Sequence, residues 1–187
     1  RKRILFSMHM DAIVQHLMAY VIEQNTLRLE AVFDGERPVG STRDMRTWYT
    51  TRVAEPTQRS QISHIVVDSG WEKYAANVAE THPDVAAWAK NDHLGFHILY
   101  LWNGTKRKYI PDFLVRFKSG KTLVLEIKGE DSPQDQAKRR AMDQWVQAVN
   151  AQGGLGHWAW DVVVGSMAGL QDVMARHASH AVAEPTT

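Results

Sequence analysis

Apolar and polar positions change their spacing along the chain, and these changes mark out the predicted helices and strands. Alternating or continuous apolar runs predict strands at residues 63–67, 96–102, 107–117, 122–127 and 158–164. Apolar residues at helical spacing predict helices over 7–23, 71–80 and 133–150, a helical turn over 84–90, and a short helix from 168. The second half therefore has the order helix, strand, strand, strand, helix, strand, which is typical of an α/β fold.

The strands predicted at 107–117 and 122–127 carry the charged side chains of greatest interest. A short polar turn with a glycine separates them, so the two runs predict a β-hairpin. Asp112 lies in the first strand, and Glu126 is embedded in the apolar second strand. Because side chains alternate along a strand, Lys128 shares a face with Glu126. In an antiparallel pair, Asp112 can face Glu126 across the ladder.

Two facing carboxylates need a cation. They would repel each other, and a half-buried charge is costly without a partner. Mg²⁺ relieves both problems and typically binds one or two carboxylates together with substrate phosphates. Lys128 would then stand beside the ion, where it could hold a water or contact a phosphate. The alternative is a turn aspartate with an exposed Glu/Lys pair, but the neighbours of Glu126 are apolar: Val124, Leu125 and Ile127.

Pro-Asp in one strand, followed by Glu-x-Lys at the end of the next, resembles the signature of the PD-(D/E)XK nuclease superfamily. More narrowly, KYIPDFLVR at 108–116 with LVLEIKG at 123–129 looks like the C-terminal nuclease domain of type III restriction enzyme R subunits. The resemblance covers roughly residues 71–164. It implies a restriction-endonuclease-like core, a mixed β-sheet flanked by helices in α-β-β-β-α-β order, behind a mainly helical N-terminal extension.

The resemblance also implies an activity, which is Mg²⁺-dependent hydrolysis of DNA phosphodiester bonds by an endonuclease. Asp112, Glu126 and the backbone carbonyl of Ile127 would bind Mg²⁺, for which Mn²⁺ could substitute. Lys128 would position the attacking water or stabilise the pentavalent phosphorus. Glu72 matches an extra acidic residue that many members supply from the helix before the core strands. The other interpretation of Glu72 is a helix N-terminal charge favoured by the macrodipole.

Two basic groups are candidate DNA contacts. One follows the Asn-Gly turn before the Asp112 strand, and the other lies on the helix after Glu126: Lys106, Arg107 and Lys108, and Lys138, Arg139 and Arg140. Such residues can hold backbone phosphates, although these contacts carry no sequence information. For the first group, a solvated edge that deters aggregation is the alternative.

Length and composition set outer limits. The 187 residues suit one domain with room for appended segments. We expect an N-terminal extension at 1–56, the nuclease-like domain at 57–168 and a tail at 169–187. The formal net charge is +1, so affinity for DNA must come from local patches. The absence of cysteine excludes disulfides, Cys-ligated zinc and thiol catalysis, and is compatible with the cytoplasm. No apolar run has the length of a membrane span.

The first residues look like mid-protein sequence and begin with Arg1, which predicts a piece of a longer polypeptide. In the family that the chain resembles, the nuclease follows an ATP-driven helicase motor. We therefore expect DNA, an upstream helicase/ATPase domain and a modification subunit as partners, and no membrane. Cutting both strands needs two active centres, which favours a homodimer. Two other functions stay open, a catalytically silent DNA-binding module and a structural connector on the same fold.

Overall fold

The computed structural model describes residues 2–25, 42, 45–67, 69–165 and 168–179. Parts of the predicted extension and tail, at 26–41 and 180–187, lie outside these residues. The described helices are α1 Lys2–Asn25, α2 Gly70–Thr81, α3 Pro133–Gln152 and α4 Ala168–Ser179. The described strands are β1 Ala54–Pro56, β2 His64–Val66, β3 Val85–Lys90, β4 Ile98–Trp102, β5 Thr105–Tyr109, β6 Phe113–Phe117, β7 Lys121–Lys128 and β8 His157–Val164.

A four-stranded mixed sheet in the order β3-β6-β7-β8 forms the centre of this α/β domain. β6 pairs antiparallel with both β3 and β7, whereas β8 runs parallel to β7. The predicted hairpin is confirmed, with Phe113 opposite Leu125. β7 is central and covered on both faces, which is why its sequence is nearly continuous in apolar residues rather than alternating.

One strand prediction and one helix prediction were wrong. The run at 107–117 is two strands in different sheets, because Pro111 has no N–H to continue a ladder, and the chain changes sheet there. The turn predicted as helical at 84–90 is strand β3. Its pairing with β6 buries Val85 and Trp88, and this tertiary gain outweighs the weak helical preference of an Ala-rich segment.

The strand predicted at 96–102 exists as β4, but among the described strands it pairs only with β5, in a separate two-stranded ribbon. Asn103 and Gly104 both have positive φ, 49° and 71°, as the predicted Asn-Gly hairpin turn requires. The first strand of the central sheet is therefore β3. The order α2-β3-β6-β7-α3-β8 is kept, and the β4–β5 ribbon is inserted between β3 and β6.

Helices cover both faces of the sheet. α2 and α4 pack on one face around Trp88, Phe113 and Leu123, and α4 contributes Leu170, Val173 and Met174 to this core. α3 and the β4–β5 ribbon cover the other face and bury Tyr100, Tyr109, Val124 and Met142. The α3 face also carries Glu126 and Lys128, because they have the same parity along β7 as Val124.

α1 confirms the helix predicted at 7–23. Its Ile13 is half-buried, whereas six of its larger apolar side chains are exposed: Met10, Val14, Leu17, Met18, Tyr20 and Val21. None of the described helices has the length and apolar character needed to cross a membrane.

Candidate active site

Asp112, Glu126 and Lys128 meet at the end of β7. The β6–β7 ladder stops at the Phe113–Leu125 pair, so the last residues of β7 extend past β6 and lie beside Asp112. The Oδ2 atom of Asp112 accepts a hydrogen bond from the backbone N–H of Ile127 at 2.7 Å. The ammonium group of Lys128 lies 3.2 Å from Glu126 Oε1. The structure thus brings Asp112, Glu126 and Lys128 together at one strand end, as the sequence predicts.

The two acids are held in an unfavourable electrostatic environment. Burial, and next the charge of Glu126, raise the pKa of Asp112 to about 7, although the Ile127 N–H and the Lys128 charge act in the opposite direction. Burial also raises the pKa of Glu126, against the lowering effect of Lys128 and Tyr109. Folding therefore brings together two carboxylates that resist being charged at the same time.

Both oxygens of Glu126 have partners. Oε1 lies by Lys128, and Oε2 accepts a hydrogen bond from the hydroxyl of Tyr109 at 3.0 Å. Tyr109, the last residue of β5, is buried. Burial and the nearby charge of Glu126 raise the pKa of Tyr109 far above its ordinary value. The hydroxyl therefore stays protonated and donates the hydrogen bond to Glu126.

Lys128 contacts a second carboxylate, on α3. Asp135 Oδ1 lies 2.6 Å from Lys128 Nζ and 2.9 Å from Lys138 Nζ. Burial alone would raise the pKa of Asp135, but hydrogen bonds from Lys128, Ser132 and Lys138 outweigh it and lower that pKa well below its usual range. For Lys128, burial lowers the pKa, but Asp135 and Glu126 outweigh that effect and raise it. Lys128 is therefore held as a charged ammonium.

Glu72 lies in the first turn of α2, close enough to Asp112 for its charge to contribute to the raised pKa of that acid. Its Oε2 atom is 3.0 Å from the ammonium group of Lys90, the last residue of β3. Lys90 is buried and also donates to the carbonyl of Val66 at 3.0 Å. This ion pair gives Glu72 a structural contact at the edge of the site.

The basic candidates fall into two groups. Lys106, Arg107 and Lys108 are exposed on β5, directly before Tyr109, and Arg140 is exposed on α3. Lys138 instead points inward, to Asp135 and to the ring of Tyr109, whose centroid is 5.6 Å from its ammonium group. Arg139 pairs with Asp131 at 2.9 Å. Lys138 thus belongs to the group of side chains around Asp135 and Tyr109 rather than to an exposed basic surface.

The donors at this site suit a hard divalent cation. Among the described residues, no group of three or more His, Asp or Glu side chains has the geometry of a metal site. The oxygen donors are instead two carboxylates, Asp112 and Glu126, and the carbonyl of Ile127. Because the N–H of Ile127 points to Asp112, its carbonyl lies at the same edge of β7. Mg²⁺ accepts such a small protein donor set and completes its shell with waters or phosphate.

Sequence reasoning missed three residues that shape the site. Asn91 donates from Nδ2 to the carbonyl of Pro111 at 2.9 Å and from its backbone to that of Asp112 at 2.7 Å, so it fixes the loop before β6. Nothing local in the sequence signals this contact. Tyr109 and Asp135 did leave a signal. Tyr109 ends a basic strand, and Asp135 is the third residue after Ser132, where a capping box places an acid.

A scan against protein-family models, a search of curated proteins and a search of solved structures each found no match to this chain.

Proposed function

We propose that this chain is a Mg²⁺-dependent endonuclease domain that hydrolyses DNA phosphodiester bonds on a restriction-endonuclease-like fold. The observation that carries the proposal is the meeting of Asp112, Glu126 and Lys128 around the backbone of Ile127 at one strand end. The order α2-β3-β6-β7-α3-β8 supports it, because the sequence resemblance implies the same order. Perturbed carboxylates beside a charged lysine are also what a catalytic site requires.

Each residue has a separate task in this proposal. Asp112, Glu126 and the Ile127 carbonyl would hold Mg²⁺, which when bound polarises the scissile phosphate and lowers the pKa of a coordinated water. Lys128 supplies a fixed positive charge to the phosphorus centre as negative charge develops there. Such a preorganised group is worth about 3–4 kcal/mol of barrier. Since its neighbours keep Lys128 protonated, it acts as an electrostatic stabiliser and not as the base that removes the proton of water.

The substrate and partners follow from charge and from the resemblance. The exposed Lys106, Arg107 and Lys108 lie on the strand that leads to Tyr109, and they offer contacts to backbone phosphates near the acids. We further propose, on the resemblance alone, that the natural polypeptide is a type III-like helicase-nuclease of a restriction system, with a modification subunit and paired nuclease copies.

Plasmid cleavage tests the proposal. Supercoiled DNA is incubated with the wild-type chain, with Asp112→Ala and with Lys128→Ala, while Mg²⁺ or Mn²⁺ is titrated. We expect metal-dependent nicking by the wild type and a loss of at least about a hundredfold in each variant. Asp143→Ala is the matched control, because Asp143 is exposed on α3 and, within the part of the chain that the structure describes, bonds only to Gln147 on the same helix and to Trp160.

Equal cleavage by wild type and Asp112→Ala, or no cleavage at any metal concentration, removes the nuclease proposal. DNA binding by gel shift without metal and without cleavage would instead support the silent DNA-binding module. Absence of both activities would leave the connector domain as the better description.

A further inference from the structure

Asp135 divides its two carboxylate oxygens between two tasks. Oδ2 accepts hydrogen bonds from the backbone N–H of Ser132 at 3.0 Å and from its hydroxyl at 2.5 Å, which fixes the first turn of α3. Oδ1 faces the ammonium groups of Lys128 and Lys138. A helix cap needs one acceptor oxygen, so the second oxygen is available for another role. Asp135 is also 5 % exposed, which is rare for a capping residue at a helix start.

The contacts of Asp135 close a ring of five side chains. Glu126 Oε1 contacts Lys128, Lys128 and Lys138 share Asp135 Oδ1, Lys138 lies over the Tyr109 ring, and the Tyr109 hydroxyl returns to Glu126 Oε2. Its two ammonium groups and two carboxylates balance, so the ring can be buried without a further counterion. It joins β5, β7 and the start of α3. Lys128 is thus fixed from two sides, by Glu126 on its own strand and by Asp135 on the helix.

We propose that Asp135 is a positioning residue of this site, which holds Lys128 in place for the reacting phosphate and couples that placement to the start of α3. The proposal rests on the proposed function, because Lys128 has a reaction to serve only if the site cleaves DNA. Glu126 alone cannot provide this placement, since metal binding would draw its oxygens toward the ion. Asp135 lies on α3, a different element from β7, and its 2.6 Å contact with Lys128 would keep the lysine from following Glu126.

The test uses Asp135→Asn in the full chain. An asparagine oxygen can still accept from Ser132, while its amide cannot accept from the two lysines. We expect plasmid nicking at saturating Mg²⁺ to slow about ten- to a hundredfold, the range for removing a group that orients a catalytic residue. DNA affinity measured in Ca²⁺ should stay within about twofold, because Asp135 is buried and the substitution removes no exposed basic side chain. Asp143→Asn, on the same helix, is the matched control and should cleave like wild type.

Two further variants separate positioning from folding. Ser132→Ala weakens the same helix start but leaves both lysine contacts, so it should lower the melting temperature while slowing turnover far less than Asp135→Asn. Asp135→Glu keeps the charge and displaces it by one methylene. It should lose turnover with DNA affinity retained, and it carries the test if Asp135→Asn does not fold. In ¹⁵N spectra, a slowly exchanging Lys128 ammonium signal should be present in wild type and Ser132→Ala and absent in Asp135→Asn.

The outcomes distinguish this proposal from the proposed function. Wild type that cleaves, with Asp135→Asn equally fast, overturns the positioning role alone. A parallel loss of turnover in Ser132→Ala and Asp135→Asn, or a loss of DNA affinity that matches the loss of turnover, shows a structural residue and also overturns it. Wild type that cleaves no DNA overturns the proposed function and this proposal with it.

Discussion

Carboxylates occur on both faces of the central sheet, and their surroundings differ. On the α4 face, Asp161 of β8 pairs with Arg176, and the Nε2 atom of His177 lies 3.0 Å from its Oδ2. Burial alone would raise the pKa of Asp161, but the hydrogen bonds from His177 and Arg176 outweigh burial and lower it. Near the α3 face, burial and the charge of Glu126 raise the pKa of Asp112 to about 7. One acid has its charge satisfied by folding, and the other does not.

This difference separates a structural acid from a candidate functional one. The cations around the end of β7 are engaged with other acids, since Lys128 contacts Glu126 and Asp135, and Lys90 contacts Glu72. Among the described residues, Asp112 has the Ile127 N–H and the attraction of Lys128, and these are too weak to offset its burial and the repulsion of Glu126. An acid kept at such a cost is expected where a ligand supplies the missing positive charge. Asp161 needs no such ligand, because Arg176 of α4 already supplies a positive charge.

The largest expected effect is a gain in stability from Asp112→Asn at pH 8 without divalent metal. The pKa of Asp112 is about 7 when folded and has an ordinary value of 3.8. The charge of Asp112 therefore does not destabilise the fold below pH 3.8. Its destabilising effect develops as the pH rises from 3.8 to about 7 and is complete above about 7. Removing the charge should raise the free energy of unfolding by up to about 4 kcal/mol at pH 8, and by little at pH 4. Urea denaturation at the two pH values measures this, and a lower stability at pH 8 would contradict it.

Divalent metal should have the next largest effect. At a concentration ten times its Kd, Mg²⁺ or Mn²⁺ should stabilise wild type by about 1.4 kcal/mol, which corresponds to a shift in Tm of roughly 3–6 °C for a chain of this size. Asp112→Asn should show no shift, because one of the two carboxylates is lost. Asp161→Asn should keep the full shift. Calorimetry with and without metal at pH 8 provides the measurement, and equal shifts in wild type and Asp112→Asn would place the ion elsewhere.

The smallest effect should come from Asp161→Asn and have the opposite sign to that of Asp112→Asn. The pKa of Asp161 is lower in the folded protein than its ordinary value. The ionised acid therefore stabilises the fold at pH above its ordinary pKa, and this stabilisation is lost as the pH falls through the folded pKa. Asp161→Asn should therefore lower the free energy of unfolding at pH 7 by about 1 kcal/mol, since the contacts are partly exposed, and the two proteins should converge in acid. Asp172→Asn, at an exposed position on α4, is the control. A higher free energy of unfolding for Asp161→Asn than for wild type at pH 7 would contradict the difference between Asp161 and Asp112.

Sequence reasoning found the β6–β7 hairpin and the shared face of Glu126 and Lys128, because both follow from period-two alternation, which is local. It misassigned β3, whose strand form depends on pairing with β6 across a long sequence separation. Asp135 and Tyr109 were missed for a related reason. The capping-box spacing marks Asp135 only as a helix cap. The roles of both residues at the site come from side chains on other elements, and no spacing along the chain records those contacts.

The tip of the β4–β5 ribbon is a position at which the chain can accept insertions. Among the described strands its two strands pair only with each other, and Ile98, Tyr100 and Tyr109 belong to the core cluster that includes α3. Its tip is the turn at Asn103 and Gly104, outside the β6–β7 ladder. Loop closure entropy increases slowly with length, so extra residues at this tip cost little. Insertions there would lengthen the ribbon while Asp112, Glu126 and Lys128 keep their positions on the central sheet. In the proposed nuclease, such insertions would change which nucleic acids are contacted without altering the residues proposed to act on them.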